Sequence, residues 1–173
     1  MQVATVGLDL AKDVFQIHGI SECGEVAFNR SIKRKELLKF FDRLPRFVVG
    51  VEACGSAHHW AREISKFGHD VRLIPAFHVK PCVKRGKTDA IYEEAICEAV
   101  RRPTMRFVKI QTVDQQAVFA VHRSQNLVIR QRAQFANMVR SVLREFGHVL
   151  PTRIEATLEF AQEFIDGDHA DLP

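Results

Sequence analysis

The sequence predicts an α/β fold: a mixed sheet that opens with an antiparallel β-meander, continues as strands alternating with helices, and leads into a long helical arm. Three observations carry this. Residues 3–32 hold three strand-like runs in close succession. Between residues 33 and 101, helix-spaced segments alternate with short apolar runs. From Thr112 to Phe146 there is neither Pro nor Gly, and apolar residues recur at heptad spacing.

Val3 to Asp9 reads as a buried strand that ends on an acid. Val14 to Ile20 alternates and reads as its partner. Glu22 to Glu25 contains Gly24 and makes a turn, and Val26 to Ile32 completes the meander. Lys33 to Leu44 places apolar residues at 37, 38, 40, 41 and 44, which is helix spacing, and Pro45 stops it. Phe47 to Glu52 is a short apolar run of the central-strand type, again closed by an acid. Ser56 is positioned to cap a helix through Phe67, with Gly68 past its end. Asp70 to Ile74 is a fifth strand and Pro75 to Lys87 a basic loop. Thr88 can cap a helix from Asp89 to about Arg101, and Pro103 follows. In the arm, Val121, Val128, Phe135 and Val142 repeat every seven residues, but Gln125 and Arg132 interrupt the second stripe. That imperfection favours an inter-subunit or inter-domain arm, coiled-coil-like, over a strict coiled coil. Gly147 ends the arm, and an acidic helix over about 152–166 follows Pro151. The expected division is 1–110 for the α/β body and 111–173 for the helical region.

Composition narrows the class. At 173 residues, 46% hydrophobic and 27% charged, the chain is globular in character and large enough to form a core without disulfides. No apolar run approaches the ~20 residues of a membrane span, and the amino terminus does not read as a signal peptide. Cys23, Cys54, Cys82 and Cys97 form no C-x-x-C, so reduced thiols in a cytoplasmic protein are expected. His58 and His59 are adjacent, face different ways on a helix, and make a poor metal pair. The net charge of +4 hides a segregation: residues 154–173 carry six acids and no Lys or Arg, so residues 1–153 hold 25 basic and 15 acidic side chains. A body of net charge +10 suits a phosphate-bearing partner.

Asp9 and Glu52 close strands, and Asp89 opens a helix. In open α/β sheets ligands gather beyond the carboxyl ends of the strands, so these three acids are expected to converge there. Neighbouring carboxylates repel unless a cation neutralises them, and Mg²⁺ prefers hard oxygen ligands. The alternative is that all three are ordinary strand-end and cap residues. The opening strand followed by Gly7 to Lys12 is also similar to the first phosphate loop of actin-like ATPases. The second glycine-rich loop that such ATPases need is missing, as is any G-x-x-x-x-G-K-[ST].

Several segments together resemble one family. They are Gly7 to Gly19, Val51 to Glu63, Val79 to Pro81, Lys87 to Ala90, Glu94 to Ala99 and residues 137–151, ending Leu143-Arg144-Glu145-Phe146-Gly147-His148-Val149-Leu150-Pro151. Their order and spacing resemble the N-terminal half of DEDD-type insertion-sequence transposases, relatives of the Piv and MooV DNA invertases. The resemblance implies a RuvC-like, ribonuclease-H-like domain followed by a helical arm, and an activity in DNA transposition or inversion guided by a structured RNA. It implies Mg²⁺, or Mn²⁺ in its place, on Asp9, Glu52 and Asp89 as catalytic acids.

The sequence departs from the family pattern at the fourth acid, where Tyr92 stands three residues after Asp89. Glu93, four residues after Asp89, faces roughly the same way and is a candidate replacement ligand. Family members also continue into a C-terminal domain with a nucleophilic Ser, which this chain, ending at Pro173, is expected to lack; it would not complete strand exchange alone. Lys12, Lys80, Lys84, Arg85 and Lys87 near the acids, and Arg130, Arg132 and Arg140 on the arm, are candidate contacts to DNA or RNA phosphates. The expected partners are DNA, a structured guide RNA and a second copy through the long helix, in the cytoplasm of a prokaryotic cell, at the nucleoid when acting. The alternative function is a non-catalytic nucleic-acid-binding and dimerisation module from a truncated transposase copy.

Overall fold

The computed structural model describes residues 3–79 and 89–167. They divide into two compact units, residues 1–112 and 113–173.

The first unit is built on a five-stranded sheet: β1 (Val3–Asp9), β2 (Val14–Ser21), β3 (Val26–Lys33), β4 (Val48–Glu52) and β5 (Asp70–Ile74). Their spatial order is β3-β2-β1-β4-β5. The meander β1–β2–β3 is antiparallel, whereas β4 runs parallel to both β1 and β5. Strand order and directions are those of the mixed sheet with a β-meander start that the sequence predicts. The apolar runs of β1 and β4 lie inside the sheet, covered on both faces, which is why neither shows a simple alternation.

Side-chain alternation separates two cores. On one face Val6, Leu8, Phe15, Ile17, Val49 and Val51 pack with Leu37 and Phe41 of α1 (Leu37–Asp42) and with Trp60 and Ile64 of α2 (Ala57–Ser65). Phe15 meets Trp60 edge-on, with ring centroids 5.1 Å apart. The other face carries α4 (Asp89–Arg101), which buries Ile96, Ala99 and Val100 with Ile74 of β5 and Val79 of α3 (Ala76–Val79). Gly50 makes this approach possible: an added Cβ would lie 3.0 Å from Val100 Cβ and 3.1 Å from Ile96 Cγ2.

Some local expectations change. The helix expected over Lys33 to Leu44 begins as a 3-10 turn, Arg34–Glu36, before the α1 residues. Ser56 occupies the N-cap position of α2 but its hydroxyl makes no capping hydrogen bond; its backbone is near-helical, where a cap residue is normally extended. The stretch read as a loop after Pro75 starts with the short helix α3.

In the second unit, α5 (Val113–Glu145) is one unbroken helix of 33 residues, about 50 Å long at 1.5 Å per residue. Gly147 follows it with φ +85°, the left-handed conformation that favours glycine at helix ends. α6 (Ile154–Asp166) packs along α5. Arg140 fastens the pair: its guanidinium donates to Thr157 Oγ1 at 2.9 Å, Thr152 O at 2.7 Å and Asn137 Oδ1 at 2.6 Å. Among the described residues, no helix is long and apolar enough to cross a membrane.

Candidate functional site

The register of the sheet brings two of the predicted acids together. β1 and β4 pair in parallel through Leu8 and Val51, so Asp9 and Glu52, one residue further on each, end neighbouring strands. Neighbouring strands are about 4.8 Å apart. Gly7 and Gly50 are register partners, and Gly50 faces α4. Two residues later, Asp9 and Glu52 project to that same face. Both are half-buried.

The backbone of α4 approaches from the same side. Arg101, at its carboxyl end, donates to Glu22 O in the turn after β2, and Cys97 donates to His18 O in mid-strand. The helix therefore runs antiparallel to β1. Its first residue, Asp89, lies eight residues before Cys97, about 12 Å toward the carboxyl end of β1. The side chains of Asp89, Tyr92 and Glu93 lie outside the described residues, as do Lys80, Lys84, Arg85 and Lys87.

Two residues that sequence reading did not single out extend the row of acids. Gln16 is the register partner of Asp9, and Ser31 is the partner of Gln16. Ser31 Oγ donates to Gln16 Oε1 at 2.6 Å. Ser31, Gln16, Asp9 and Glu52 thus form a polar row across four strands on the α4 face. The alternation in β2 was visible in sequence, but the register that aligns Gln16 with Asp9 was not. Lys12 is exposed in the loop after β1, where its carbonyl accepts from Arg34 Nη1 at 3.2 Å.

Carboxylates on adjacent strand ends are the donors a hard divalent cation takes, and their mutual repulsion favours one between them. Among the described residues no group of three or more His, Cys, Asp or Glu side chains is close enough to hold a metal ion. Asp9 and Glu52 fit as two ligands of a set whose third side chain is not described.

His18 lies beneath the row, buried under α4, with no hydrogen-bond partner for Nδ1 among the described residues. Burial pushes its pKa down, and the nearby Glu94 carboxylate opposes this. The folded state thus holds the His18 proton less tightly than the unfolded chain. This contribution destabilises the fold as pH falls below about 6.5, and His18→Gln is expected to flatten the melting temperature between pH 7 and 5. An unchanged slope would show that His18 is not the titrating group. His58 has a structural task instead: its Nδ1 accepts the Gln111 N–H at 3.2 Å, while Arg62 donates to Gln111 O at 2.6 Å.

On the second unit, Arg130 is exposed, Arg132 pairs with Glu155 at 3.1 Å, and Arg140 spends its donors within the unit.

The family model of DEDD transposases of the IS110 type, described as a transposase, matches residues 6–148. The chain belongs to this family. A Sinorhizobium fredii relative that bears a transposase name, y4pF/y4sB, is 46% identical over 161 residues, covering 91% of this chain and 42% of that protein. The transposase for insertion sequence element IS1328 of Yersinia enterocolitica is 41% identical over 152 residues, covering 88% of this chain and 46% of that protein. This IS110-family chain therefore spans about half the length of the relatives it matches. Among solved structures, T. thermophilus RuvC in complex with Holliday junction substrate aligns over 62% of this chain and 100% of its own, with 11% identity and a TM-score of 0.38.

Proposed function

We propose that this chain is the metal-binding, N-terminal part of a DNA transposase or site-specific recombinase, with residues 1–110 as its RuvC-like domain and the remainder as an arm leading to a further transposase domain. The observation that carries the reading is the side-by-side placement of Asp9 and Glu52 on neighbouring parallel strand ends, on the face toward which the start of α4 runs. Asp9, Glu52 and Asp89 would hold Mg²⁺ or Mn²⁺, with Glu93 as a further ligand. Bound there, the ion would neutralise charge on a phosphodiester and lower the pKa of a water nucleophile. The chain's own residues would position the DNA: Lys12, Arg130 on the arm, and Lys80, Lys84, Arg85 and Lys87, which precede Asp89 in the sequence, would offer donors to phosphate oxygens. A structured guide RNA is the proposed source of sequence specificity. Val121, Val128, Phe135 and Val142 remain exposed along α5 and support pairing with a second copy.

Tyr92 favours a second reading. A neutral phenol in place of a carboxylate weakens the site, and the chain would then serve as a nucleic-acid-binding and dimerisation module without catalysis.

Calorimetric titration of Mg²⁺ and Mn²⁺ decides between them. Saturable binding that Asp9→Asn abolishes is expected on the first reading, and Tyr92→Asp should tighten it by adding a charged ligand. No binding by the parent chain, with none gained in Tyr92→Asp, would refute a metal cluster and leave the second reading.

A further inference from the structure

A basic surface lies on the face of the sheet opposite to that of Asp9 and Glu52. Residues 30–46 carry seven basic side chains against Glu36 and Asp42. The fold gathers three of them around one groove of about 590 Å³ between the edge strand β3 and α1, whose lining includes Arg30, Lys39, Arg43 and Phe40 together with one acid, Glu36. Lys66, Arg72, Arg102 and Arg132 all pair with carboxylates. Arg30, Lys39 and Arg43 have no such partner among the described residues. Arg30 is held with its guanidinium 5.3 Å from the centre of the Phe28 ring and 5.8 Å from that of Phe40. Stacking fixes the guanidinium plane while leaving its N–H groups for an acceptor.

We propose that the groove between β3 and α1 holds a DNA strand by its phosphate backbone. The proposal rests on the reading of Asp9 and Glu52 as the site acids, and it extends the path of their substrate. Ser31, on the edge strand, borders the groove while its hydroxyl turns to Gln16 on the other face of the sheet. β3 is two strands from β1, roughly 10 Å. At one phosphate per about 3.4 Å of strand, that distance is some three phosphates. The acids project to the α4 face and the groove opens on the α1 face, so a strand that contacts both rounds the β3 edge of the sheet and needs more than those three phosphates. Phe40 adds an aromatic face, so the groove pairs cations with a ring, the combination that suits single-stranded nucleic acid. Charges on an edge strand also discourage sheet-to-sheet pairing, and that role alone would need no DNA.

The test compares the 173-residue chain with a combined Arg30→Gln, Lys39→Gln and Arg43→Gln variant in fluorescence-anisotropy titrations of labelled poly(dT) between about 50 and 200 mM salt. A charge-matched control carries Lys66→Gln, Arg72→Gln and Lys109→Gln. Three lost phosphate contacts should weaken binding at least tenfold or so at low salt and reduce the log–log salt slope by roughly 2. The control should keep the parent's slope, and Asp9→Asn should keep groove binding. Equal losses in variant and control would overturn the proposal, because only net charge would matter. Poly(dT) binding unchanged in the groove variant, with an unchanged melting temperature, would overturn it while leaving the reading of the acids intact. Groove-dependent capture of poly-glutamate or of an RNA hairpin in preference to poly(dT) would overturn the DNA assignment. Groove-dependent poly(dT) binding in a chain that takes up no metal would support the groove and overturn the reading of the acids.

Discussion

Replacing Phe41 with alanine is expected to destabilise the first unit by about 3–5 kcal/mol. Phe41 is fully buried. Its ring meets Phe40 at 5.4 Å, His69 at 5.3 Å and Phe47 at 6.1 Å between centroids, and its carbonyl is bonded to His69 Nε2 at 3.0 Å. α1 has only six residues and no side-chain cap, so it cannot persist on its own helical propensity. Phe41 and Leu37 hold it against the sheet. Removing the ring leaves a cavity and loosens one wall of the basic groove. Thermal unfolding should show a fall in melting temperature of roughly 10 °C or more, and Phe41→Leu a smaller one. A loss under about 1 kcal/mol would mean that α1 is anchored by something other than this ring.

Gly50→Val is expected to strike the site through the fold. Even a single added carbon at Gly50 comes within 3.0–3.1 Å of Val100 and Ile96, and valine adds two more. Overpacking of this kind costs about 1–3 kcal/mol. It must be relieved by displacing α4, because Gly50 lies in the middle of a strand paired on both sides. α4 carries Asp89 as its first residue, so the same displacement moves the proposed third ligand away from Asp9 and Glu52. Both the melting temperature and the stabilisation by added Mn²⁺ should fall, whereas Val49→Ala on the opposite face should lower the first while leaving metal affinity in place. Metal affinity unaltered by Gly50→Val would break the link between α4 packing and the site.

The places of the three acids in the fold were legible because each closes or opens an element with a clear pattern: Asp9 and Glu52 end apolar strands, and Asp89 starts a helix ahead of Pro103. Ser56 misled because a residue type favoured at caps does not guarantee the extended backbone that lets its hydroxyl turn back. The segment from Lys33 to Leu44 had helix spacing, but spacing cannot show that the first turn tightens into a 3-10 turn. Arg30, Lys39 and Arg43 escaped notice because they belong to a strand and a helix with different periods, and they share a groove only once β3 and α1 pack. Arg132 and Arg140 looked like available cations until α6 supplied Glu155, Thr157 and Thr152 as partners.

By itself, then, the sequence determined the kinds and order of the elements, the family, and the residue types placed at the strand ends. These follow from local periodicity, turn chemistry and the order of segments along the chain. The tertiary structure alone decided that β1 lies beside β4, that Gly50 admits α4 onto the acids' face, and that Gln16 and Ser31 join their row. Such pairings depend on register between strands distant in sequence. Shifting a strand by one residue turns every side chain to the other face without changing its local pattern.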